Sequence, residues 1–550
     1  MALFNLTGSD TEVAKYKSRQ TGLTVVVAKA DTPVVHGHFC FATRADDDDG
    51  LPHILEHLIF QGSEDYPYQE ALDLLATRCL GERTNAWTAR DHTCYTLYTA
   101  GTSGFLDILP IYLDHILFPQ LRVEDYLTEV HHVNGAGEDA GVVYSEMQGS
   151  KFPTSVARAI KKLLYPGDSG YYALTGGGLK NLRTSTNIQK VRNYHKKFYR
   201  AENLVLTITG SIDPHQIFKA VTSIEEKILG KKSLNQTLFE GPWQKPLQPI
   251  KDKGNRIEHK FPSDDESKGK VYFGFRLTNH ITEDITMQEA YYLLLWYLMS
   301  GKVSPLEIAF VETEDPLCTS VGFDRFTYSH FAYIIGFSNV PTNRTGEVIP
   351  RLRRVIQQII DDGPSKFDLS RIRSFIDKGM EENQKDIENN FHKEFSDATI
   401  LDQLYGTQEG HFQQFVTYEQ WSTRHRDHNA SYWLELLNNI FNNFDNVVVE
   451  GKPSISLSKE YNQKEKIRLE KQRSELGQEG LDKKREELLA AIASKVLPNN
   501  DILTSIPFGD VEKIQFRTIK SYNRTLTPQN LFDFSKLRLK VQISDVKSKL

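Results

Sequence analysis

The chain has 550 residues, 39% hydrophobic and 25% charged, and a formal net charge of −6 from 66 basic and 72 acidic residues. These values are typical of globular proteins with sizeable cores, and the length predicts roughly two to four domains. The slightly acidic composition excludes the basic character of a typical nucleic-acid-binding protein, so we expect no nucleic-acid partner.

Four cysteines without C-x-x-C spacing are too few for a disulfide framework, which favours a reducing compartment. Residues 1–19 contain acidic side chains and no apolar run, so they resemble neither a secretory signal nor a mitochondrial transit segment. The most apolar stretch, residues 290–299, is too short to span a bilayer. We therefore expect a cytoplasmic protein without a membrane partner, with a mitochondrial location as the runner-up.

Residues 22–29 and 36–43 are rich in β-branched and aromatic side chains and predict two strands. The acidic run at residues 46–49 follows them. One interpretation is a solvated turn. The other is the start of a helix, where carboxylates face free N–H groups and the positive end of the helix dipole, and Pro52 suits a first helical turn.

The motif H-x-x-E-H occurs in residues 50–62, GLPHILEHLIFQG. On a helix, His53 and His57 lie one turn apart on the same face and can hold one metal ion. Glu56 could then take a proton from a water molecule at that site, in the inverted order of some zinc peptidases. The alternative is a pair of core histidines in an amphipathic helix, because a short motif can arise by chance.

After a helical pattern at residues 68–80, residues 83–98 predict a strand, a tight turn and a second strand. If the first strand lies at a sheet edge, an extended peptide could pair with it through main-chain hydrogen bonds. Residues 85–88 are therefore candidates for substrate binding. The alternative is that Asn85 is a turn residue and Trp87 belongs to the core.

A zinc centre needs a third protein ligand. The segment GVVYSEMQG, residues 141–149, follows predicted helices at 104–117 and 124–133 and places one carboxylate in a mostly apolar stretch. Burying such a carboxylate is costly unless it is paired or bound to metal, which favours Glu146. Nearby alternatives remain: His131, His132, Glu138 and Asp139.

The remaining chain continues in the same style. Helices are predicted at 155–164, 187–198 and 214–229, and a strand at 203–210. Glycines 176–178 form a loop without a phosphate-binding pattern. After a linker at 241–254, a second unit without H-x-x-E-H has strands at 256–261, 271–277, 320–326 and 331–337, and helices at 287–299, 347–360 and from 368 onward. Residues 458–497 predict a charged helical hairpin that turns near Gly477 and Gly480 and ends at Pro498.

These motifs resemble the pitrilysin and insulin-degrading-enzyme family of inverted-motif zinc metallopeptidases. The resemblance rests on residues 50–62, on 85–88 with Thr93 and Tyr95, and on 143–149, and it continues through Gly176, Gly177, residues 203–210, Asp213 and Pro214. The surroundings of Glu146 and the charged hairpin most resemble the presequence-protease subgroup.

The resemblance implies an α+β fold of two related domains, each a mixed, mainly antiparallel sheet with helices packed on it, as in mitochondrial processing peptidases. Two such halves close over a peptide chamber. It further implies Zn²⁺ as cofactor, Glu56 as general base, a set of zinc ligands and a strand that binds the substrate. The zinc ligands would be His53, His57 and Glu146, and the substrate strand Asn85, Ala86, Trp87 and Thr88.

Family members often carry a second acidic residue before the third ligand, and Asp139 is the candidate here. We expect residues 1–250 to form the zinc-binding domain, 251–455 a second, non-catalytic domain, 456–498 the hairpin, and 499–550 a tail at the start of a missing C-terminal half.

We therefore expect a zinc endopeptidase of unfolded peptides, working with a second half-molecule or as a homo-oligomer. The alternative is a catalytically weak or inactive half-molecule that acts as a structural or regulatory subunit.

Overall fold

The computed structural model describes residues 2–5, 11–150, 155–167, 169–231, 239–250, 254–283, 285–408, 410–416, 424–509 and 511–514. Within these ranges the strands are β1 (Ala2–Asn5), β2 (Glu12–Lys17), β3 (Thr24–Lys29), β4 (Val34–Ala42), β5 (Asn85–Thr88), β6 (His92–Ala100), β7 (His132–Val133), β8 (Asp139–Ala140), β9 (Leu204–Gly210), β10 (Arg256–Pro262), β11 (Lys268–Arg276), β12 (Ser320–Phe326), β13 (Ala332–Pro341) and β14 (Asn446–Ser454).

The helices connect and cover these strands. They are α1 (Leu51–Ile59), α2 (Ala71–Arg78), α3 (Thr102–Leu117), α4 (Val123–Glu129), α5 (Val142–Gln148), α6 (Val156–Leu164), α7 (Leu179–Thr184), α8 (Ile188–Phe198), α9 (Pro214–Lys231), α10 (Ile285–Met299), α11 (Pro305–Phe310), α12 (Thr345–Asp362), α13 (Leu369–Tyr405), α14 (His411–Val416), α15 (Ala430–Asn438), α16 (Ile455–Ala493) and α17 (Asn500–Thr504).

The first sheet has seven strands in the order β1-β2-β3-β9-β4-β6-β5. Strand β9 runs parallel to β3, and the other neighbouring pairs are antiparallel. Within the described residues, β5 pairs with β6 alone and therefore forms one edge of the sheet. The hairpin predicted at residues 83–98 is confirmed, and its first strand is an edge strand.

The second sheet has five strands in the order β10-β14-β11-β13-β12. Strand β14 runs parallel to β10, whereas the other pairs are antiparallel. Five strands of the first sheet, β3-β9-β4-β6-β5, have this same arrangement, including the single parallel pair. The predicted fold class, two related α+β domains with mixed and mainly antiparallel sheets, is confirmed.

Helix α13 lies between strands β13 and β14 of the second domain in the chain, but it also packs against the first sheet. The Gln403 side-chain amide donates to the carbonyls of Cys40 on β4 and Asn203 beside β9, over 3.1 and 2.6 Å. Near its non-helical residue Asn390, the helix stacks the His392 ring on that of His36, with 3.8 Å between centroids. Helix α13 therefore connects the second domain to the first sheet.

The predicted linker at residues 241–254 is not a loose spacer where the structure describes it. Trp243 is 4% exposed, and its indole N–H donates to the carbonyls of Thr43 and Asp91. Ile250, 3% exposed, packs in the same core as the second sheet. This segment ties the two domains together; residues 251–253 of the prediction lie outside the described residues.

The predicted charged hairpin is confirmed. Helix α16 reverses at Gly477, whose φ of 59° and ψ of −176° are not helical. A left-handed φ suits glycine, which lacks the Cβ that would clash there. Of the predicted tail, the structure describes the short helix α17 and residues up to Ile514.

The helix predicted at residues 124–133 is too long, since α4 ends at Glu129. His132 then forms β7 with Val133, and its imidazole bonds to the carbonyl of Leu127 over 2.7 Å. Short β7 and β8 pair with each other and form a small hairpin between α4 and α5. Among the described residues, no helix combines the length and apolar character needed to cross a membrane.

Candidate active site

Helix α1 presents the H-x-x-E-H motif. Ile54, Leu55 and Leu58 are at most 1% exposed and hold one face of the helix in the core of the first domain. His53 and His57 therefore lie together on the opposite, partly open face, with 4.7 Å between their ring centroids. The interpretation as two core histidines does not fit this placement.

The acidic run before α1 is neither a helix cap nor simply a solvated turn. Gly50, with a φ of 76°, is the N-cap residue that precedes Leu51, and no described side chain caps the helix. Asp48 instead accepts two hydrogen bonds from Arg158, at 2.7 and 2.8 Å. Asp49, 2% exposed, accepts one from Asn181 at 2.9 Å and another from Lys190.

The glycine loop at residues 176–178 lies against the start of α1. A Cβ on Gly50 would be 2.6 Å from the Cα of Gly177, and one on Gly176 would be 2.3 Å from the sulfur of Met147. Real Cβ atoms do not approach other atoms so closely, so these glycines permit the contact. The loop thereby joins the motif helix to α5, which carries Glu146.

Glu146 faces both histidines, although 55% of its side chain is exposed. Its Oε1 is 3.6 Å from His53 Nε2, and its Oε2 is 3.6 Å from His57 Nε2. One ligand atom from each of the three residues lies within 4.8 Å of the others. The sequence argument selected this residue on the expectation of burial; the geometry instead supports it through the two imidazoles.

The four alternatives to Glu146 have other partners. His131 bonds to Asp139 at 2.8 Å, and Glu138 pairs with Arg473 at 2.9 Å. His132 bonds to the main chain, as described above. None of them belongs to the three-residue group, and Asp139 contacts the arginine of a distant helix rather than a histidine of the motif.

Glu129, at the end of α4, was not identified from the sequence. Its Oε1 is 3.0 Å from His57 Nδ1, and its side chain is 15% exposed. Histidines that bind metals usually donate their second ring N–H to such a carboxylate, which fixes the tautomer and turns Nε2 toward the metal. Chain spacing gives no sign of this contact, because α4 and α1 meet only in the folded protein.

The two imidazoles differ in their ionisation. Burial and the neighbouring His57 lower the pKa of His53 to about 4, which favours the neutral ring that a metal requires. Burial also acts to lower the pKa of His57, but the Glu129 hydrogen bond and nearby carboxylates outweigh it and raise the value. Glu129 thus keeps a proton on Nδ1.

Glu56 lies between the motif and the edge strand. Its Oε2 accepts a hydrogen bond from the Thr88 hydroxyl on β5, over 2.5 Å. Burial raises the pKa of Glu56, and the Thr88 bond opposes that shift. A carboxylate with a raised pKa near a candidate metal site is suited to accept and return a proton.

Strand β5 has four residues with different environments. Asn85 is exposed, while Ala86, Trp87 and Thr88 are half-buried. Asn85 lies in the strand rather than in a turn, and Trp87 packs partly buried against the core while it donates its indole N–H to His92 Nε2 over 2.9 Å. The other ring nitrogen of His92 bonds to Asp91 at 2.8 Å.

Asp91 connects this strand to the second domain. The hydroxyl of Tyr405, the last residue of α13, donates to Asp91 Oδ2 over 2.6 Å. Both carboxylate oxygens of Asp91 are therefore used, one by the hairpin that carries β5 and one by the second domain. The far edge of β5 remains without a described strand neighbour.

The residues present fit a zinc ion. Two imidazoles and one carboxylate form a common zinc donor set, and catalytic zinc sites keep a further position open. His53 Nδ1 is buried without a described hydrogen-bond partner, and His57 Nδ1 is already engaged by Glu129. The donor chemistry and the Glu129 contact both satisfy what such a centre requires.

Comparison with known proteins gives two family matches. Residues 41–140 match the model of the Insulinase (Peptidase family M16) domain, and residues 185–375 match the Peptidase M16 inactive domain. The first range contains the motif helix, β5 and Glu129. The second range begins before β9 and extends through the strands β10–β13 of the second domain.

Two curated relatives illustrate the similarity. An uncharacterized protein of Caenorhabditis elegans is 35% identical over 524 residues, covering 94% of this chain and 52% of the relative. The mitochondrial presequence protease of Gibberella zeae is 28% identical over 356 residues, covering 60% of this chain and 33% of that protein. The chain spans about half the length of the first curated relatives that it matches.

Among solved structures, a protease from Helicobacter pylori superimposes with a TM-score of 0.61 at 17% identity. The match covers 80% of this chain and all of the bacterial one. At this identity the likeness concerns the fold: an α+β arrangement of sheets covered by helices.

Proposed function

The chain belongs to the M16 family of peptidases, the insulinase and pitrilysin-like family, and on that premise we propose that it is a zinc-dependent endopeptidase of unfolded peptides. The observation that carries the proposal is that a group of metal-binding side chains, a candidate general base and an edge strand lie next to one another. The donor group of His53, His57 and Glu146 lies beside Glu56, and Glu56 is hydrogen-bonded to the edge strand through Thr88.

The edge strand supports an extended substrate. Its free side offers main-chain N–H and C=O groups, with which a peptide backbone can pair as an added strand. Because such pairing uses backbone groups, it depends weakly on the peptide's side chains and requires an unfolded segment. We propose that Asn85, Ala86, Trp87 and Thr88 hold the substrate in this way.

The proposed roles of the site residues follow from their positions. His53, His57 and Glu146 would hold the zinc, and Glu129 would orient His57. When bound, zinc would supply Lewis acidity toward the scissile carbonyl and toward water. Glu56 would accept a proton from the attacking water and deliver it to the leaving amine, and the Thr88 hydroxyl keeps its carboxylate turned toward the peptide edge.

The central experiment uses Glu56→Gln in the full 550-residue chain. We expect the variant to retain zinc and to lose hydrolysis of a quenched peptide by about 10²–10⁴-fold, the usual contribution of a general base. Glu226→Gln, the same change at an exposed position of α9, serves as the matched control. Cleavage by Glu56→Gln that persists at the wild-type rate and is still stopped by a chelator contradicts the proposed role.

A second candidate function is favoured by length. The chain covers 52% of the C. elegans relative, so about half of that relative has no counterpart in this sequence. We propose, as the alternative, a weakly active or inactive half-molecule that serves as a structural subunit or needs a partner half or a second copy to close a peptide chamber. Peptide assays of the chain alone and with a co-purified partner, together with its mass in solution, separate these alternatives.

The domain roles and location belong to the same proposal. Residues 1–250 would be the catalytic domain, 251–455 the supporting domain, 456–498 the hairpin, and 499–550 a tail. All four cysteines are free, and Cys40 faces Cys94 on the neighbouring strand without forming a disulfide with it. This supports a reducing location, which we propose is the cytoplasm, with the mitochondrion of the presequence proteases as the alternative. Cell fractionation distinguishes the two.

A further inference from the structure

The charged hairpin α16 packs against the segment between Glu129 and Glu146. That segment comprises β7, a turn and β8, and it links the helix carrying one carboxylate to the helix carrying the other. The hairpin is distant in the chain, yet it meets the turn through side chains on its first arm. We call these contacts, made by Glu465, Arg468, Gln472 and Arg473, the hairpin clamp.

Arg468 is the centre of the hairpin clamp. It donates to Asp139 Oδ2 over 2.5 Å, and it is itself held by Glu465 through two bonds of 2.9 and 2.6 Å. Asp139 is 3% exposed and uses its other oxygen to bond His131 at 2.8 Å. A buried carboxylate is costly unless its oxygens are paired, so Arg468 and His131 together make this placement favourable.

The clamp also reaches the helix of Glu146 by a second route. Glu465 lies 3.4 Å from Arg183, whose guanidinium donates to the hydroxyl of Tyr144 over 2.6 Å. Tyr144 is 1% exposed and belongs to α5, two residues before Glu146. The hairpin therefore contacts the β8–α5 connection directly at Asp139 and indirectly, through Arg183, at Tyr144.

The turn itself is shaped to accept the hairpin. Gln472 donates to the Gly137 carbonyl over 3.1 Å, and Arg473 donates to the Ala136 carbonyl over 3.0 Å. Gly137 has a φ of 74°, and a Cβ there would lie 2.6 Å from the Arg473 side chain. Glycine, which lacks a Cβ, allows the Arg473 side chain to approach the backbone of the turn this closely.

We propose that Arg468 is a positioning residue for the metal centre, acting through Asp139 and Glu465 to fix the segment that carries Glu146. This inference rests on the proposed function, because it concerns the same metal site. It has a physical basis in the exposure of Glu146: a ligand whose side chain is 55% exposed has few side-chain contacts to fix it, so its position depends on the chain that leads into α5, which the hairpin clamp contacts at Ala136, Gly137 and Asp139. Partners that orient metal ligands commonly change metal affinity by about 10–100-fold.

The test compares Arg468→Ala with Lys471→Ala in the full chain. Lys471 lies on the same arm, and its partner Glu475 is on the next turn, both well exposed. We expect Arg468→Ala to weaken zinc binding by about 10-fold or more in a chelator competition, and Lys471→Ala to leave it within about 2-fold. After loading with Co²⁺, the visible absorption spectrum of Arg468→Ala should differ from that of wild type, and the spectrum of Lys471→Ala should not. Equal affinities and spectra for wild type and Arg468→Ala overturn the proposal.

A double-mutant cycle separates positioning from general support. If Arg468 acts through Asp139, its removal should have little further effect on zinc affinity in an Asp139→Asn background. If the hairpin merely stabilises the domain, the two effects add. Should Arg468→Ala fail to fold, Arg468→Lys keeps the charge but loses the forked geometry, and we expect it to retain part of the affinity.

Hydrogen exchange of the metal-free proteins tests whether Arg468 stabilises the segment between α4 and α5 without relying on zinc binding. We expect faster exchange across residues 132–148 in Arg468→Ala than in Lys471→Ala. If wild type binds no zinc while this difference appears, the proposed function fails; the hairpin clamp still stabilises residues 132–148, but Arg468 has no metal-positioning role. If wild type binds zinc and neither affinity nor exchange responds to Arg468, the proposed function stands and the clamp is refuted.

Discussion

Mild acid should weaken the docking of α13 on the first sheet, because buried histidines lie at that interface. His38 on β4 is 2% exposed, and its Nδ1 has no described hydrogen-bond partner. Burial, with further contributions from His392, His36 and Lys393, lowers the pKa of His38 from its ordinary value of 6.5 to about 3. Burial and His392 likewise lower the pKa of His36 to about 4.

The sign and size of the effect follow from proton binding. Below pH 6.5 the unfolded chain takes up a proton at His38 that the folded protein excludes, so the free energy of unfolding falls as the pH falls. One pKa unit corresponds to about 1.36 kcal/mol, so His38 alone costs about 2 kcal/mol at pH 5 relative to pH 7. His36 changes stability in the same direction.

The assay is urea unfolding at pH 7, 6 and 5 of wild type, His38→Gln and His215→Gln. His215 is an exposed histidine of α9 and serves as the control. Between pH 7 and pH 5 the free energy of unfolding should fall by about 2 kcal/mol less in His38→Gln than in wild type, whatever the substitution costs at pH 7. Identical pH dependence for wild type and His38→Gln refutes the reasoning.

Three further predictions concern the site and its supports. Glu129→Gln should lower zinc affinity by about 10–100-fold in a chelator competition while circular dichroism stays unchanged, because His57 loses its orienting carboxylate. Gly50→Ala should cost about 1–3 kcal/mol in thermal unfolding from its left-handed φ of 76°, and more from the contact with Gly177; an unchanged melting temperature contradicts this. Tyr405→Phe should cost about 1–3 kcal/mol in urea unfolding, because Asp91 loses a donor in a buried site, whereas a neutral result would show that water replaces the hydroxyl.

The sequence predicted the features that rest on local patterns. The strand at residues 320–326 has the bounds of β12, and the reversal at Gly477 occurs where glycine marks the turn. The spacing of His53 and His57 determines that they share a helix face, and the structure has them so. In each case the signal lies within one element, so no knowledge of the packing is needed.

Features that depend on contacts between distant segments were missed or explained wrongly. The acidic run predicts a solvated or capping Asp49, but Asp49 is buried and accepts hydrogen bonds from Asn181 on α7 and Lys190 on α8, which no local pattern indicates. The sequence names Asp139 only as the counterpart of a family acidic residue and leaves its role open; it binds His131 and Arg468, whereas the carboxylate that contacts His57 is Glu129, which no local pattern indicates. The sequence patterns do not predict strands β2 and β14, and β14 takes its interior place between β10 and β11 only when the second sheet assembles.

The position of the last strand in each sheet has a consequence for how the protein is made. During synthesis, β3 and β4 emerge early but are not neighbours: β9, more than 160 residues after β4, must enter between them. In the second sheet, β14 likewise lies between β10 and β11 although it follows both of them in the chain. Such long-range pairing slows folding and leaves strand edges open in the nascent chain. The metal-site residues are therefore all synthesised before the sheet beneath them can close, and each domain completes its folding only when its final strand leaves the ribosome.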